Sequence, residues 1–135
     1  MIKIENLTKP IYSTNIFDLR NKNYVRKNSI NKLKIKKTHH KVWFQKCLKE
    51  NKIYIIKKNN FFVGYIRIEK KNKNVSWAIK KRFHGKIKFS NLLKKTTDKG
   101  LIARIYKDNT ASLVVALKAG FKFYKKNKDI LILKK

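Results

Sequence analysis

The sequence predicts a mixed α/β domain: a mostly antiparallel sheet with a central parallel pair, flanked by helices. Three observations predict it. Three short runs rich in β-branched and aromatic residues succeed one another at 53–56, 61–69 and 75–79, separated only by polar Lys/Asn turns. A strand, a glycine turn and an amphipathic helix then lead into a second apolar strand at 101–106, and such a crossover makes the two flanking strands parallel. A short helix and two further short strands close the chain, so helices are available for the sheet faces.

The elements can be justified in order. Residues 1–7 alternate apolar and polar around Ile2 and Ile4, as a first strand does. Pro10 ends that pattern, and residues 14–31 read as a short helix, a polar loop and another helical turn. Thr38 is the expected N-cap of a helix ending near Glu50. His40, Trp43, Phe44, Cys47 and Leu48 fall on one face of it. Ile53–Ile56 and Phe61–Glu69 form a hairpin around a four-residue turn, Lys57 to Asn60. In its second strand Tyr65, Arg67 and Glu69 share one face, and Ile66 and Ile68 the other. Val75–Ile79 is the next strand.

The stretch Arg82-Phe83-His84-Gly85-Lys86-Ile87 organises the second half. It is expected to open a helix whose apolar face is Phe89, Leu92, Leu93 and Thr96, with Gly100 as its C-cap. A tight turn at a helix N-terminus offers free amides to an anion, and Gly85 lets backbone approach a ligand closely. Arg82 and Lys86 add side-chain charge. A glycine in a strand–turn–helix unit also has a purely steric use. After Gly100, Leu101–Tyr106 reads as a buried strand, Asn109 as the N-cap of a helix over 110–119, and 121–124 and 129–133 as strands.

At 135 residues the chain makes a single domain with one real core. Apolar residues are 42% of it, which excludes disorder although 33% are charged. Lys and Arg number 37 against seven Asp and Glu, a net charge of +30. Such a field draws in nucleic acid, an anionic membrane or a phosphorylated ligand. The lysines are spread along the chain among many Asn and Ile, which favours a compositional origin over a nucleic-acid interface. The one cysteine, Cys47, excludes an intrachain disulfide, and no Cys/His cluster has metal-ligand spacing. Residues 1–7 lack the apolar core of a signal peptide, and the longest apolar run, 113–117, cannot span a bilayer. The expectation is a cytoplasmic protein.

The order of elements and several residues resemble the GNAT superfamily of acetyl-CoA-dependent N-acetyltransferases. Its pyrophosphate loop, Q/R-x-x-G-x-G/A, is matched by Arg82-x-x-Gly85-x-Ile87. Its asparagine-opened helix ending in Gly-Phe is matched by Asn109, Ser112 and Gly120-Phe121. The first half, with Leu19-Arg20-Asn21, Val25-Arg26, Ser29 and His40-x-x-Trp43-Phe44, is similar to the bacterial branch that acetylates amino-sugar nucleotides, including pseudaminic-acid pathway enzymes.

The resemblance implies a gap between the strands at 75–79 and 101–106 that admits the pantetheine arm of acetyl-CoA, with backbone groups of Trp77, Ala78 and Ile79 bonding it. Arg82, His84, Gly85, Lys86 and Ile87 would bind its pyrophosphate, and Asn109 and Ser112 the arm. Two departures stand out. Ile87 replaces a small residue and is expected to crowd the turn. Ala116 replaces a tyrosine that protonates the leaving thiolate, so Tyr106, Tyr124, Ser112 or water must serve. For the base, Glu69 is the first candidate and His40 the second; each also has a plain structural reading, as a strand-end charge and a hydrogen-bonded core histidine. Arg20, Asn21, Arg26 and Arg67 are candidates for binding a small amine acceptor, a nucleotide-linked amino sugar in particular. The rival readings are an acetyltransferase for a protein N-terminus or another small amine, and a degenerate relative that binds nucleic acid.

Overall fold

A computed structural model describes residues 1–135. The elements are β1 (Ile2–Asn6), α1 (Ser13–Arg20), α2 (Asn23–Lys27), α3 (Lys37–Glu50), β2 (Asn51–Lys58), β3 (Phe61–Glu69), β4 (Asn74–Ile79), α4 (Phe89–Thr96), β5 (Ile102–Tyr106), α5 (Thr110–Lys118), β6 (Lys122–Asn127) and β7 (Ile130–Lys134). A 3₁₀ turn, Lys81–Phe83, lies between β4 and α4. The sheet runs β1-β2-β3-β4-β5-β7-β6, with β4–β5 its one parallel pair. No helix is long and apolar enough to cross a membrane.

The alternation of side chains divides the core into two layers. Ile66 and Ile68 of β3, Val75 of β4, Ala103 and Ile105 of β5 and Leu133 of β7 face α4 and α5, where they meet Phe89, Leu93 and Ala116. Ile55 of β2, Tyr65 of β3 and Ala78 of β4 face the other way, against Ile16 and Leu19 of α1 and Phe44 and Cys47 of α3. Helices α1 to α3 cover only the β1–β4 half of their face. The outer strand β6 is exposed along its whole length.

Four local expectations are corrected. The hairpin turn is two residues, Asn59 and Asn60, both left-handed (φ 51° and 69°), so β2 continues through its lysines. Two-residue turns of that hand match the twist of the paired strands, and Asn tolerates them. Thr38 lies inside α3, whose first residue is Lys37, and no side chain caps that end. The helix after the glycine turn begins at Phe89, with Arg82 and Phe83 in the 3₁₀ turn instead. Gly100 (φ 92°) is not its cap, since α4 ends in extended backbone at Thr97 and Gly100 serves a separate turn into β5.

Candidate active site

Strands β4 and β5 pair only at Asn74–Ile102 and Val75–Ala103 and then part. Beyond that point β4 keeps its partner β3 and β5 keeps β7, so a wedge opens between two intact half-sheets. The hydrogen bonds show which groups face the wedge. Ile102 N–H donates to Lys73 O across the parallel pair, and Lys80 N–H donates to Val63 O across the antiparallel one. Odd-numbered residues of β4 therefore turn their backbone toward β5 and even-numbered ones toward β3. Trp77 and Ile79 present backbone polar groups to the wedge. Ala78 does not, because its groups belong to the β3 ladder, and this corrects the expectation for Ala78.

The turn after β4 lies at the mouth of the wedge. Gly85 adopts φ 74°, a conformation that costs a residue with Cβ about 1–2 kcal/mol. The amides of Gly85, Ile87 and Lys88 donate to no protein acceptor. Arg82, Lys86 and Lys88 are exposed around them. The side chain of Ile87 packs against the α4–α5 core layer, so the crowding expected of it does not occur. The exposed ring of His84 folds back, its Nε2 donating to Ile79 O at 3.2 Å. These residues form a cradle for an anion, built from main-chain donors with cations at its rim.

The segment around α2 bridges the mouth from one side to the other. Tyr24 Oη accepts from Lys81 N at 2.9 Å, and the Tyr24 ring meets His84 edge-on. On the β5 side Asn109 Nδ2 donates to Asn28 O at 3.1 Å, and Lys32 Nζ lies 3.3 Å from the centre of the Tyr106 ring. Asn109 Oδ1 accepts from Ser112 N, capping α5. Both ends of the Asn109 amide are thus engaged within the protein, which gives it a structural role in place of the expected contact with a ligand. Ser112 keeps a free hydroxyl. Ala116 is fully buried in the core and supplies no proton donor. Tyr106, at the end of β5, has its phenol raised by desolvation and by Asp108, so it holds its proton more firmly than usual.

The remaining candidates meet on the α1–α3 face. The Trp43 indole carries two guanidinium groups, Arg20 at 3.7 Å from the ring centre and Arg67 at 5.3 Å. Arg67 binds Glu69 Oε1 at 2.6 Å, and Asn72 donates to Oε2 at 3.1 Å. Burial alone would raise the Glu69 pKa, but the bonds from Arg67 and Asn72 and the charges of Arg67 and Arg104 bring it below the usual carboxylate value. His40 is buried, with Nε2 donating to Ser13 O at 3.0 Å and Nδ1 accepting from Arg20 Nη1 at 3.2 Å. It has no free nitrogen for a substrate proton, which corrects its candidacy as a base. Asn21 is corrected too: its amide pairs with both backbone groups of Ile35, at 2.7 and 2.9 Å, and anchors the loop before α3. Arg26 donates to Asn23 and leaves Nε buried without a partner under the bridge. Tyr24 is not legible as a site residue in the sequence, because its partners Lys81 and His84 lie far away in the chain.

No family model matches the sequence, and no curated protein matches it either. Solved structures do. A domain from Methanocaldococcus jannaschii superposes with TM-score 0.79 at 23% identity, over 100% of this chain and 97% of that one. The Campylobacter jejuni N-acetyltransferase PseH, solved with acetyl coenzyme A, gives 0.67 at 18%, over 98% and 96%. Spermidine N-acetyltransferase from Vibrio cholerae, solved with CoA and spermine, gives 0.79 at 10%, over 98% and 92%. The wedged seven-stranded sheet is the fold of the GNAT acetyltransferases.

Proposed function

We propose that the protein is an acetyl-CoA-dependent N-acetyltransferase acting on a small amine, with a nucleotide-linked amino sugar as the acceptor. The observation that carries the reading is the wedge: β4 parts from β5 after two residue pairs, beside a turn with three free amides. Its backbone groups suit an amide-bearing pantetheine arm, and its cradle suits a diphosphate. Several structural neighbours were solved with CoA or acetyl-CoA, and the acceptors they are named for differ, from spermidine to a ribosomal protein N-terminus. The likeness to PseH and the basic surface support the nucleotide-sugar choice. We place the protein in the cytoplasm, in keeping with its single buried thiol, Cys47.

Acetyl-CoA supplies the activated acyl carbonyl. The chain supplies position. Trp77 and Ile79 hold the arm along the wedge, the amides of Gly85, Ile87 and Lys88 fix the diphosphate, and oriented reactants account for most of the acceleration. Glu69, kept ionised by Arg67 and Asn72, attracts the acceptor ammonium and takes its proton through water. Tyr106 is the proton donor at the β5 end.

Two measurements test this. At 100-fold excess over Kd, acetyl-CoA is expected to stabilise the fold by about 2.7 kcal/mol, several degrees in Tm. The shift should persist at moderate salt and exceed that from ATP. A shift that disappears with salt and is matched by nucleic acid supports the nucleic-acid reading instead. In CoA release over a panel of UDP-amino sugars, amino acids and peptides, Glu69→Gln is expected to lower kcat/KM about 10- to 100-fold, at the modest end for a proton acceptor because the carboxylate is a weak base. The wild-type acid limb assigned to Glu69 should lie below about pH 4.3, the ordinary glutamate value, and not near neutrality. An unchanged rate in the variant removes Glu69 from the role.

A further inference from the structure

A cavity of about 440 Å³ lies where α1–α3 leave the sheet uncovered, on the β5–β7–β6 half. Its floor is apolar, with Ile102 of β5 and Ile132 of β7; its walls carry Arg104, Lys125 and Lys134 with the ring of Tyr124. No carboxylate lines it. Lys134 Nζ sits 3.7 Å from the centre of the Tyr124 ring, which holds the ammonium over the groove. None of the cations in the wall has a salt-bridge partner. The even-numbered side chains of β5 project from the same face as Arg67 and Glu69, opposite the α4–α5 layer. Arg104 is near enough to help keep Glu69 ionised. The face therefore has a polarity, the Arg67-bound carboxylate of Glu69 at one end and unpaired cations over an apolar floor at the other.

We infer that the groove formed by Arg104, Lys134, Lys125 and Tyr124 is the recognition site for an anionic group, phosphate or carboxylate, carried by the acceptor amine. The inference rests on the acetyl-transfer reading and adds the site that selects the acceptor. An ammonium drawn to Glu69 and an anion drawn to Arg104 define a doubly charged acceptor. A polycation is rejected, since the net charge of +30 repels it and the groove offers it no partner. The volume is that of a small-molecule site.

The test compares matched acceptors in CoA release: glucosamine 6-phosphate against glucosamine for phosphate, and 6-aminohexanoate against 6-amino-1-hexanol for carboxylate. The charged member of at least one pair is expected to have kcat/KM about tenfold or more above its parent, the worth of one bond to a charged group. The arm that shows it identifies the anion. Arg104→Gln combined with Lys134→Gln should erase that ratio through KM, while Lys3→Gln, which removes a charge from the far edge of the sheet, should leave it. A wild-type ratio near one in both arms, a ratio that survives the double variant, or an equal loss in Lys3→Gln overturns the inference. Should no amine turn over, acetyl transfer fails by itself. The groove is then judged by amide NMR with inorganic pyrophosphate and saturating CoA: shifts at Arg104, Tyr124 and Lys134 that the double variant abolishes support it, and shifts elsewhere only overturn it.

Discussion

Gly64→Ala is expected to be the most damaging small substitution in the chain, costing about 4 kcal/mol or more and leaving little folded protein. The backbone angle is not the reason, since Gly64 lies in ordinary strand conformation. A Cβ there would overlap the carbonyl oxygen of Ala78 and stand 2.8 Å from Ile79 Cα. Val63 is the extra residue of a bulge that opposes Ile56 and Lys57 of β2, and Gly64 comes directly after it. The bulged strand bends, and β3 presses close to β4 at Ile79, on the open side of the wedge. Two of the three obstacles are close backbone, so no rotamer change relieves the clash. Urea unfolding of Gly64→Ala beside Gly85→Ala is the check. Gly85 has nothing within 4 Å of an added Cβ, so its cost is that of φ alone, about 1–2 kcal/mol. Equal losses in the two variants would refute this account.

The second large effect is acid lability near pH 6. Burial, then the charge of Arg20, holds His40 below the ordinary histidine value, with only partial offset from Ser13 O and the charge of Asp18. The folded state thus binds fewer protons than the unfolded chain. Stability is fully present above about pH 6.5, the unfolded value, and is lost as pH falls toward the folded value, at about 1.4 kcal/mol per pH unit between the two. Protonation would place a second cation against Arg20, where the nearest aromatic ring is shared and no carboxylate is paired with it. Urea midpoints measured from pH 8 to pH 5 should decline, and His40→Gln, which can still donate to Ser13 O and accept from Arg20, should flatten the decline. Parallel slopes in the two proteins would exclude His40 as the cause. Glu69, also depressed, acts in a separate window, below about pH 4.3.

Much of the architecture is local and therefore legible in the sequence. The two faces of β3 come from alternation, the stripe of α3 from helical spacing, and the parallel pair from a strand–helix crossover. Residues whose meaning depends on distant partners are the ones that mislead. His40, Arg20 and Trp43 look like an interrupted motif in the sequence, and only the packing of α1 on α3 shows that the histidine is fully engaged. Asn109 reads equally as a cap and as a ligand contact, and its second bond, to Asn28 across 81 positions, decides for structure. Gly64 carries no signal, because a glycine inside an apolar run does not announce what presses against it. The groove on β5–β7–β6 is invisible for the same reason: β7 inserts between β5 and β6, and no local pattern specifies that order.

The outermost strand of the sheet has one more consequence. Lys122, Lys125 and Lys126 stand exposed on β6, with Lys128 in the turn beyond it. The open side of an edge strand is a template on which a neighbouring copy can add its own, and a row of ammonium groups there repels the newcomer before any ladder forms. The excess of lysine thus guards against fibril growth along this edge of the sheet.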